Sequence, residues 1–307
     1  MPLDAETKAL VLQAQAAGLV PFEKLTPAEA RAQFAMPPGE ESFGNEIRDI
    51  TIPAGETKLQ ATVYSPKQPR AVIVYFHGGG WVIGDIKSFA GVGDKLAATS
   101  DCAVVMVEYR LAPEHPFPAP VDDAYFSTQW VAQNCQALFG KTLPLIVAGD
   151  SAGGNLAAVT ALRARDRDGP EIDMQILIYP ATGSDIDLPS YKEPDNQLLL
   201  TRDAMIWFWD HYLPDRAQRE YSDASPLNAQ DFSGLPPALI LTAEYDVLRD
   251  EGEQYAACLK AQGGRVEVTR YEGQMHGFLP RFQLPGSGRA FRQIAIAVDN
   301  FLTRNKA

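Results

Sequence analysis

The stretch VAGDSAGGNLA, residues 147–157, decides the fold, because a single glycine-flanked serine joins an apolar run to a helical run. Gly149 and Gly153 stand two residues on either side of Ser151 and complete a GxSxG pattern. Between a strand and a helix, this pattern puts the serine on a sharp, strained turn that presents its hydroxyl above the sheet. The sequence therefore predicts a strand over 143–150 and a helix over 151–166.

Strand-like apolar runs extend outward from this stretch in both directions. They are EIRDITIP (46–53), LQATVYSP (59–66), AVIVYFH (71–77), CAVVMVEYR (102–110), LPLIVAGD (143–150), MQILIYP (174–180), PALILTAEYD (237–246) and VEVTRYE (266–272). From the third run onward, helical stretches intervene: 91–100, 121–134, 151–166 and 252–263. Near-continuous apolar strands that alternate with helices predict an α/β fold with a mostly parallel, doubly wound sheet.

One connection breaks this alternation, since more than fifty residues, roughly 181–236, separate the sixth and seventh runs. Connections of this length are usually functional. Within it, TRDAMIWFWDHYLP (201–214) predicts a helix capped by Thr201. Its aromatic residues either line a substrate pocket or pack the insertion against the sheet, and both interpretations stay open: Trp207, Phe208, Trp209 and Tyr212.

The first forty-odd residues predict helix and turn. Thr26, Pro27 and Glu29 form a capping box with proline at the first helical position, and PPGEE (37–41) stops the helix. We find no internal repeat and no linker. The chain is therefore expected to form a single domain over 1–307.

Charge and composition limit the classes of ligand and the cellular location that we expect for this protein. The 307 residues carry a formal net charge of −12, which disfavours nucleic acid and phosphate-dense substrates and favours a neutral or cationic small molecule. Three scattered cysteines make no disulfide framework or CxxC pair. We expect a cytoplasmic protein, because the N-terminus does not resemble a signal peptide and no apolar run approaches ~18 residues.

A serine nucleophile needs a base, and the chain offers four histidines. His276 in EGQMHGF follows the last predicted strand, where its side chain can reach the carboxyl-end crevice of the sheet. We expect packing roles for His115 and His211, and His77 directly precedes three glycines. A carboxylate should complete a catalytic triad with Ser151 and His276, and Asp246 is the favoured candidate. Glu244 is its nearest rival, but it lies closer to the strand body and is less free to turn toward the imidazole.

Three consecutive glycines after the third strand, in HGGG (77–80), suit an oxyanion loop, because amides without Cβ atoms can approach a carbonyl oxygen as it becomes negative. The backbone N–H of Ala152 is a further candidate donor at the start of a helix. A dinucleotide site is disfavoured, since GDSAGG places serine where GxGxxG needs its second glycine.

Together, HGGGW, YRLAPEHPFPAPVDDA, GDSAGGNLA, YDVLRDEG and MHGF resemble the bacterial hormone-sensitive-lipase family (family IV) of carboxylesterases, in its GDSAG branch. The resemblance implies an eight-stranded α/β-hydrolase core with a helical cap from about 1–45 and about 183–225. It also implies oxyanion donors at Gly79, Gly80 and Ala152, with Gly78 a weaker candidate, and a structural role for His77.

The expected activity is hydrolysis of short- to medium-chain acyl esters by Ser151, His276 and Asp246, without metal or cofactor. Trp81, Trp207, Phe208 and Tyr212 are the candidate substrate-binding residues. The expected partner is a small-molecule ester, with neither nucleic acid nor membrane, and the resemblance allows a homodimer through an edge strand. Two alternatives stay open: an amidase or lactonase with the same triad, and a non-catalytic small-molecule-binding protein.

Overall fold

The computed structural model describes residues 2–35, 42–54 and 57–304, and within them eight strands form one sheet in the order β1-β2-β4-β3-β5-β6-β7-β8. The strands are β1 (Glu46–Ala54), β2 (Thr57–Ser65), β3 (Val72–Phe76), β4 (Ala103–Val107), β5 (Leu145–Asp150), β6 (Met174–Ile178), β7 (Ala238–Tyr245) and β8 (Val266–Met275). All eight predicted strands are present, with boundaries shifted by a few residues.

Strand direction follows the connections. The β1–β2 and β2–β4 pairs are antiparallel, whereas the pairs from β4 through β3, β5, β6 and β7 to β8 are parallel. Every residue of β3, β4, β5 and β6 is buried, because helices cover both faces of the central sheet. The predicted mostly parallel sheet is confirmed.

The helices are α1 (Ala5–Ala16), α2 (Pro27–Phe34), α3 (Ala90–Ser100), α4 (Ala119–Phe139), α5 (Ala152–Asp166), α6 (Pro189–Lys192), α7 (Arg202–Tyr212), α8 (Arg249–Ala261) and α9 (Pro285–Arg304). Short 3-10 turns cover Phe22–Lys24, Pro194–Asn196, Arg216–Glu220 and Pro226–Asn228. Helices α4, α5 and α8 pack on one face of the sheet, and α3 and α9 on the other. Helix α9 is amphipathic and was not predicted; it completes the second layer.

Both predicted helix caps form. Thr26 Oγ1 accepts from the Glu29 N–H at 3.3 Å, and Glu29 Oε2 accepts from the Thr26 N–H at 2.9 Å. Thr201 Oγ1 accepts from the Ala204 N–H at 3.1 Å at the start of α7. The predicted stop at 37–41 lies outside the described residues.

The N-terminal segment packs on the long insertion between β6 and β7. The rings of Phe22 and Phe208 lie 5.3 Å apart, and Trp207 Nε1 donates to the Leu25 carbonyl at 3.2 Å. Arg31 Nε donates to the Val82 carbonyl at 2.8 Å, which fixes α2 to the loop after β3. Both segments therefore lie over one end of the sheet, and their assignment as a cap stays a prediction.

A buried carboxyl group fixes the start of the insertion to α8. Glu251 Oε1 accepts from the Thr182 N–H at 2.8 Å, and Glu251 Oε2 accepts from the Tyr191 hydroxyl at 3.1 Å. Glu251 is fully buried, and this burial raises its pKa to about 8. The carboxyl group is therefore largely neutral at pH 7.

Two further observations concern the whole described part of the chain. None of the helices within 2–35, 42–54 and 57–304 is long and apolar enough to cross a membrane. The three cysteines are free thiols, with Cys102 and Cys135 buried and Cys258 half-buried.

Candidate active site

The turn between β5 and α5 holds Ser151 in a conformation that few non-glycine residues adopt. Its φ is 57° and its ψ is −121°, and its N–H donates to the Ile178 carbonyl at 2.8 Å. Such a backbone costs about 1–3 kcal/mol and persists where its surroundings enforce it. Gly153 permits the turn, because a Cβ there would overlap the Phe76 carbonyl oxygen.

Three side chains form one hydrogen-bonded chain at the carboxyl ends of β5, β7 and β8. His276 Nε2 lies 2.9 Å from Ser151 Oγ, and His276 Nδ1 lies 2.8 Å from Asp246 Oδ2. Asp246 is 1% exposed, and its other oxygen accepts from the Leu248 N–H at 2.9 Å. The buried carboxylate therefore has a fixed orientation toward the imidazole.

Glu244, the rival carboxylate, has a different partner. It belongs to β7, and its Oε2 accepts from the Gly273 N–H of β8 at 2.7 Å. Asp246 lies just beyond the end of β7, where the chain can turn toward His276. The geometry therefore favours Asp246 over Glu244.

The other histidines lie outside this hydrogen-bonded chain. His77 is buried, stacks on Tyr109 with ring centroids 4.5 Å apart, and contacts the Gly78 carbonyl through Nδ1 at 2.7 Å. Burial lowers its pKa to about 4, so His77 is neutral in the folded protein. His211 packs edge-on against Trp207. His115 is exposed, so the packing role expected for it is wrong.

The first glycine of the HGGG loop does not serve an oxyanion. The Gly78 N–H donates to Asp150 Oδ1 at 2.9 Å, and that oxygen also accepts from the Tyr75 hydroxyl at 2.8 Å. A Cβ at Gly78 would lie 2.5 Å from Asp150 Oδ2. Gly78 is therefore needed for close approach to Asp150, which corrects its inclusion among the candidate oxyanion donors.

The next two glycines line the space in front of the serine. Gly79 has φ +124° and Gly80 has φ +57°, both outside the range that residues with side chains readily adopt. A Cβ at Gly80 would also overlap the ring of Phe208. Ala152, the remaining candidate donor, is the first residue of α5. Bare backbone is therefore required at Gly79 and Gly80.

A cavity of about 460 Å³ opens in front of Ser151 and His276. Its other walls come from the N-terminal segment, the insertion and the loop after His276. They include Leu19, Val20, Phe22, Phe34, Leu198, Leu199, Leu200, Ala204, Phe208 and Arg281. Most of these side chains are apolar, as is usual for a pocket that binds a small molecule. The sequence had not identified the leucines or Arg281 as pocket residues.

Of the four aromatic residues proposed for substrate binding, Phe208 alone lines this cavity. Trp81 and Tyr212 are fully buried and stack on each other with ring centroids 4.3 Å apart. Trp207 faces the N-terminal segment instead. Successive residues of an α-helix point about 100° apart, so α7 can present Phe208 to the cavity and Trp209 to the core. Trp81, Trp207 and Tyr212 are therefore corrected to packing residues.

We also searched the described residues for a set of side chains that could bind a metal ion. Within 2–35, 42–54 and 57–304, no group of three or more His, Cys, Asp or Glu residues could hold a metal ion. The chemistry available at the cavity is that of a hydroxyl, an imidazole and a carboxylate in a line.

Known proteins match the chain over this site. A profile of the family described as alpha/beta hydrolase fold matches residues 73–280. Carboxylesterase NlhH of Mycobacterium tuberculosis is 42% identical over 232 residues, which cover 73% of this chain and 72% of that protein. The arylesterase of Saccharolobus solfataricus is 32% identical over 309 residues, 98% of each chain.

A solved structure agrees over nearly the full length. The hyperthermophilic esterase from the archaeon Pyrobaculum calidifontis superposes with a TM-score of 0.91 at 40% identity, over 98% of this chain and 99% of that chain. Ser151, Asp246 and His276 all lie inside the matched family region.

Proposed function

Since the chain belongs to the α/β-hydrolase family and is a carboxylesterase, we propose that Ser151, His276 and Asp246 carry its reaction through an acyl-enzyme. The expected resemblance to hormone-sensitive-lipase carboxylesterases is confirmed by the same matches. The observation that carries the proposal is the continuous chain of contacts, 2.9 Å from serine to imidazole and 2.8 Å from imidazole to carboxylate.

Each residue has one role in the first half of the reaction. His276 Nε2 takes the proton of Ser151 as Oγ attacks the ester carbonyl carbon and forms a tetrahedral intermediate. The imidazolium then gives this proton to the departing alkoxide, so the alcohol leaves and the acyl group stays on Oγ. Asp246 keeps the proton on Nδ1 and stabilises the imidazolium.

Water completes the cycle in the second half. His276 removes a proton from the water as it attacks the acyl carbon, and returns a proton to Ser151 Oγ as the carboxylic acid leaves. We assign the oxyanion hydrogen bonds to the N–H groups of Gly79, Gly80 and Ala152. Pre-oriented donors of this kind contribute about 10²–10³-fold each to kcat.

The size and lining of the cavity indicate the length of the acyl chain that it can accept. A space of about 460 Å³ with mostly apolar walls suits an acyl chain of short to medium length. We assign the cap to about 1–45 and about 183–225, since described residues of both segments form cavity walls. The packing of Phe22 on Phe208 joins these segments.

The proposal is tested with a small organophosphonate ester and intact-mass measurement. We expect one covalent adduct on the wild type and none on Ser151→Ala, because the reagent reacts with an activated serine. Ser151→Ala and His276→Ala should each lower kcat for an ester by ~10⁴ or more. Equal labelling of wild type and Ser151→Ala, or a near-wild-type rate in folded His276→Ala, would refute the assignment.

A further inference from the structure

A single cationic side chain lines the cavity among the residues that the structure describes. Arg281 follows His276 by five residues, and its Nη1 donates to the carbonyl of Gly277, the residue next to the catalytic base. The guanidinium is therefore held at the same cavity as Ser151 and His276. None of the steps assigned to Ser151, His276 and Asp246 uses this positive charge.

Within the described part of the chain, the guanidinium of Arg281 has no carboxylate partner. Among residues 2–35, 42–54 and 57–304, no carboxylate oxygen lies within 4.0 Å of its guanidinium. Two other arginines with small exposed fractions each contact two carboxylates: Arg163 contacts Asp122 and Asp223, and Arg249 contacts Glu193 and Asp250. A guanidinium carries five N–H donors, so Arg281 retains donors for a ligand.

Two carboxyl groups also line the cavity, and neither neutralises Arg281 by contact. Oδ1 of Asp150 already accepts hydrogen bonds from Tyr75 and Gly78. Glu23 is exposed, so water screens its charge. Burial lowers the pKa of Arg281, yet an arginine stays charged at any working pH.

We propose that Arg281 binds a second, anionic group of the substrate, so that the enzyme prefers esters that also carry a carboxylate. A planar guanidinium matches a carboxylate through two parallel hydrogen bonds, and a mostly apolar cavity strengthens this attraction. The proposal rests on the proposed function, since the ester bond is hydrolysed at Ser151. The net charge of the chain favours a neutral or cationic ligand, whereas the positive charge of Arg281 at the cavity favours an anionic one. Binding depends on the charges at the cavity, so we give Arg281 more weight than the net charge.

Matched ester pairs test this inference. The probes are monoethyl esters of straight-chain dicarboxylic acids from succinate to suberate, each paired with the neutral monoamide of the same length. For each pair, kcat/KM is measured with the wild type, Arg281→Gln, Arg281→Lys and the control Arg70→Gln. Arg70 pairs with Asp299 and does not line the cavity, so this control changes the net charge equally.

We expect the wild type to prefer the acid over its amide by about 10- to 100-fold at the best chain length. Arg281→Gln should remove this preference, because kcat/KM for the acid ester falls about 10- to 100-fold further than kcat/KM for the amide, which makes no ion pair. Arg281→Lys should retain part of the preference and Arg70→Gln all of it. Added salt should reduce the preference of the wild type.

Two results with Arg281→Gln would overturn the inference. An unchanged acid-to-amide ratio in Arg281→Gln would show that the guanidinium does not bind the anion. An equal loss for both esters would show that Arg281 only supports the backbone at Gly277. If folded wild type hydrolyses neither ester but takes the organophosphonate at Ser151, this inference fails and the proposed function stands; if it does neither, both fail.

Discussion

The backbone N–H of Gly78 donates to Asp150 Oδ1 over 2.9 Å, which ties the HGGG loop to the residue before the nucleophile. The contact follows from the sheet, because β3 and β5 are neighbouring parallel strands and Phe76 pairs with Gly149. Two loops that must act together on one carbonyl group are therefore fixed to each other directly.

Removing the hydrogen bond between Gly78 and Asp150 should lower both stability and activity. Asp150→Ala leaves the Gly78 N–H and the Tyr75 hydroxyl buried without an acceptor, so we expect a loss of about 2–4 kcal/mol in the free energy of unfolding. We also expect kcat to fall by about 10- to 100-fold as the oxyanion loop loses its position. Asp150→Asn keeps an oxygen acceptor and should stay within about tenfold of wild type. Denaturant unfolding and steady-state kinetics measure both effects, and similar behaviour of the two variants would contradict the explanation.

Asp246→Asn should inactivate the enzyme through the tautomer of His276. The Leu248 N–H requires an oxygen, so the amide of asparagine would turn its NH₂ group toward His276 Nδ1. That orientation puts the imidazole proton on Nε2, where it cannot accept the proton of Ser151. We expect a fall of ~10⁴ in kcat, from kinetics with a neutral ester.

The matched control is Glu244→Gln, two residues earlier on the chain. Glu244 contacts Gly273 and not the imidazole, so kcat should stay within a few-fold of wild type. A larger loss in Glu244→Gln than in Asp246→Asn would reverse the assignment of the carboxylate.

Phe208→Leu should shift the preference among acyl chains toward longer ones. Phe208 lines the cavity, and a smaller side chain leaves room for additional methylene groups. Each methylene that fits contributes about 1–3 kcal/mol to transition-state binding. We expect the ratio of kcat/KM for a longer ester to that for a shorter one to rise about tenfold. Trp207→Phe, next on α7 but outside the cavity, should leave the ratio unchanged, and an equal shift in both variants would argue against a specific role for Phe208.

Glu251 should make stability depend on pH. Its pKa is about 8 in the folded protein and near 4.5 when unfolded, so the folded state binds more protons between these values. The contribution of Glu251 to the free energy of unfolding therefore falls as pH rises from about 5 to about 8, by a few kcal/mol, whereas His77, whose pKa burial lowers to about 4, contributes with the opposite sign below about pH 6.5. Glu251→Gln cannot ionise, so the difference in unfolding free energy between the wild type and this variant should fall by that amount over the same pH range in denaturant titrations.

A neighbour on α8 provides the control for this pH dependence. Glu253 bonds to Arg270, which lowers its pKa despite partial burial, so it titrates below this window. Glu253→Gln should therefore keep the pH profile of the wild type between pH 5 and 8. Parallel pH profiles of the wild type and Glu251→Gln over this range would show that Glu251 is not held neutral by folding.

Local sequence was sufficient to predict those site residues whose position depends only on a turn or on the end of a strand. Ser151 lies in a glycine pattern that specifies its own backbone, and His276 and Asp246 directly follow two neighbouring strands. Parallel strands bring their carboxyl ends to one edge of the sheet, so the spacing of the runs was enough to predict that these residues meet.

Contacts between distant segments could not be predicted in this way. The direction of each side chain on α7 depends on how that helix sits on the sheet, so sequence could not separate Phe208 from Trp209. The bond from Gly78 to Asp150 and the position of Arg281 likewise depend on tertiary packing. The residue pattern of one segment does not specify which residues of a distant segment it will contact.

The order of the site along the chain has a consequence for synthesis. A growing polypeptide acquires the oxyanion loop and Ser151 first, whereas His276 follows β8, which must align beside β7 before the imidazole reaches the serine. A serine hydroxyl without its base is a weak nucleophile. We therefore expect the nascent chain to have little esterase activity until β8 has paired with β7 and nearly the whole sheet has assembled.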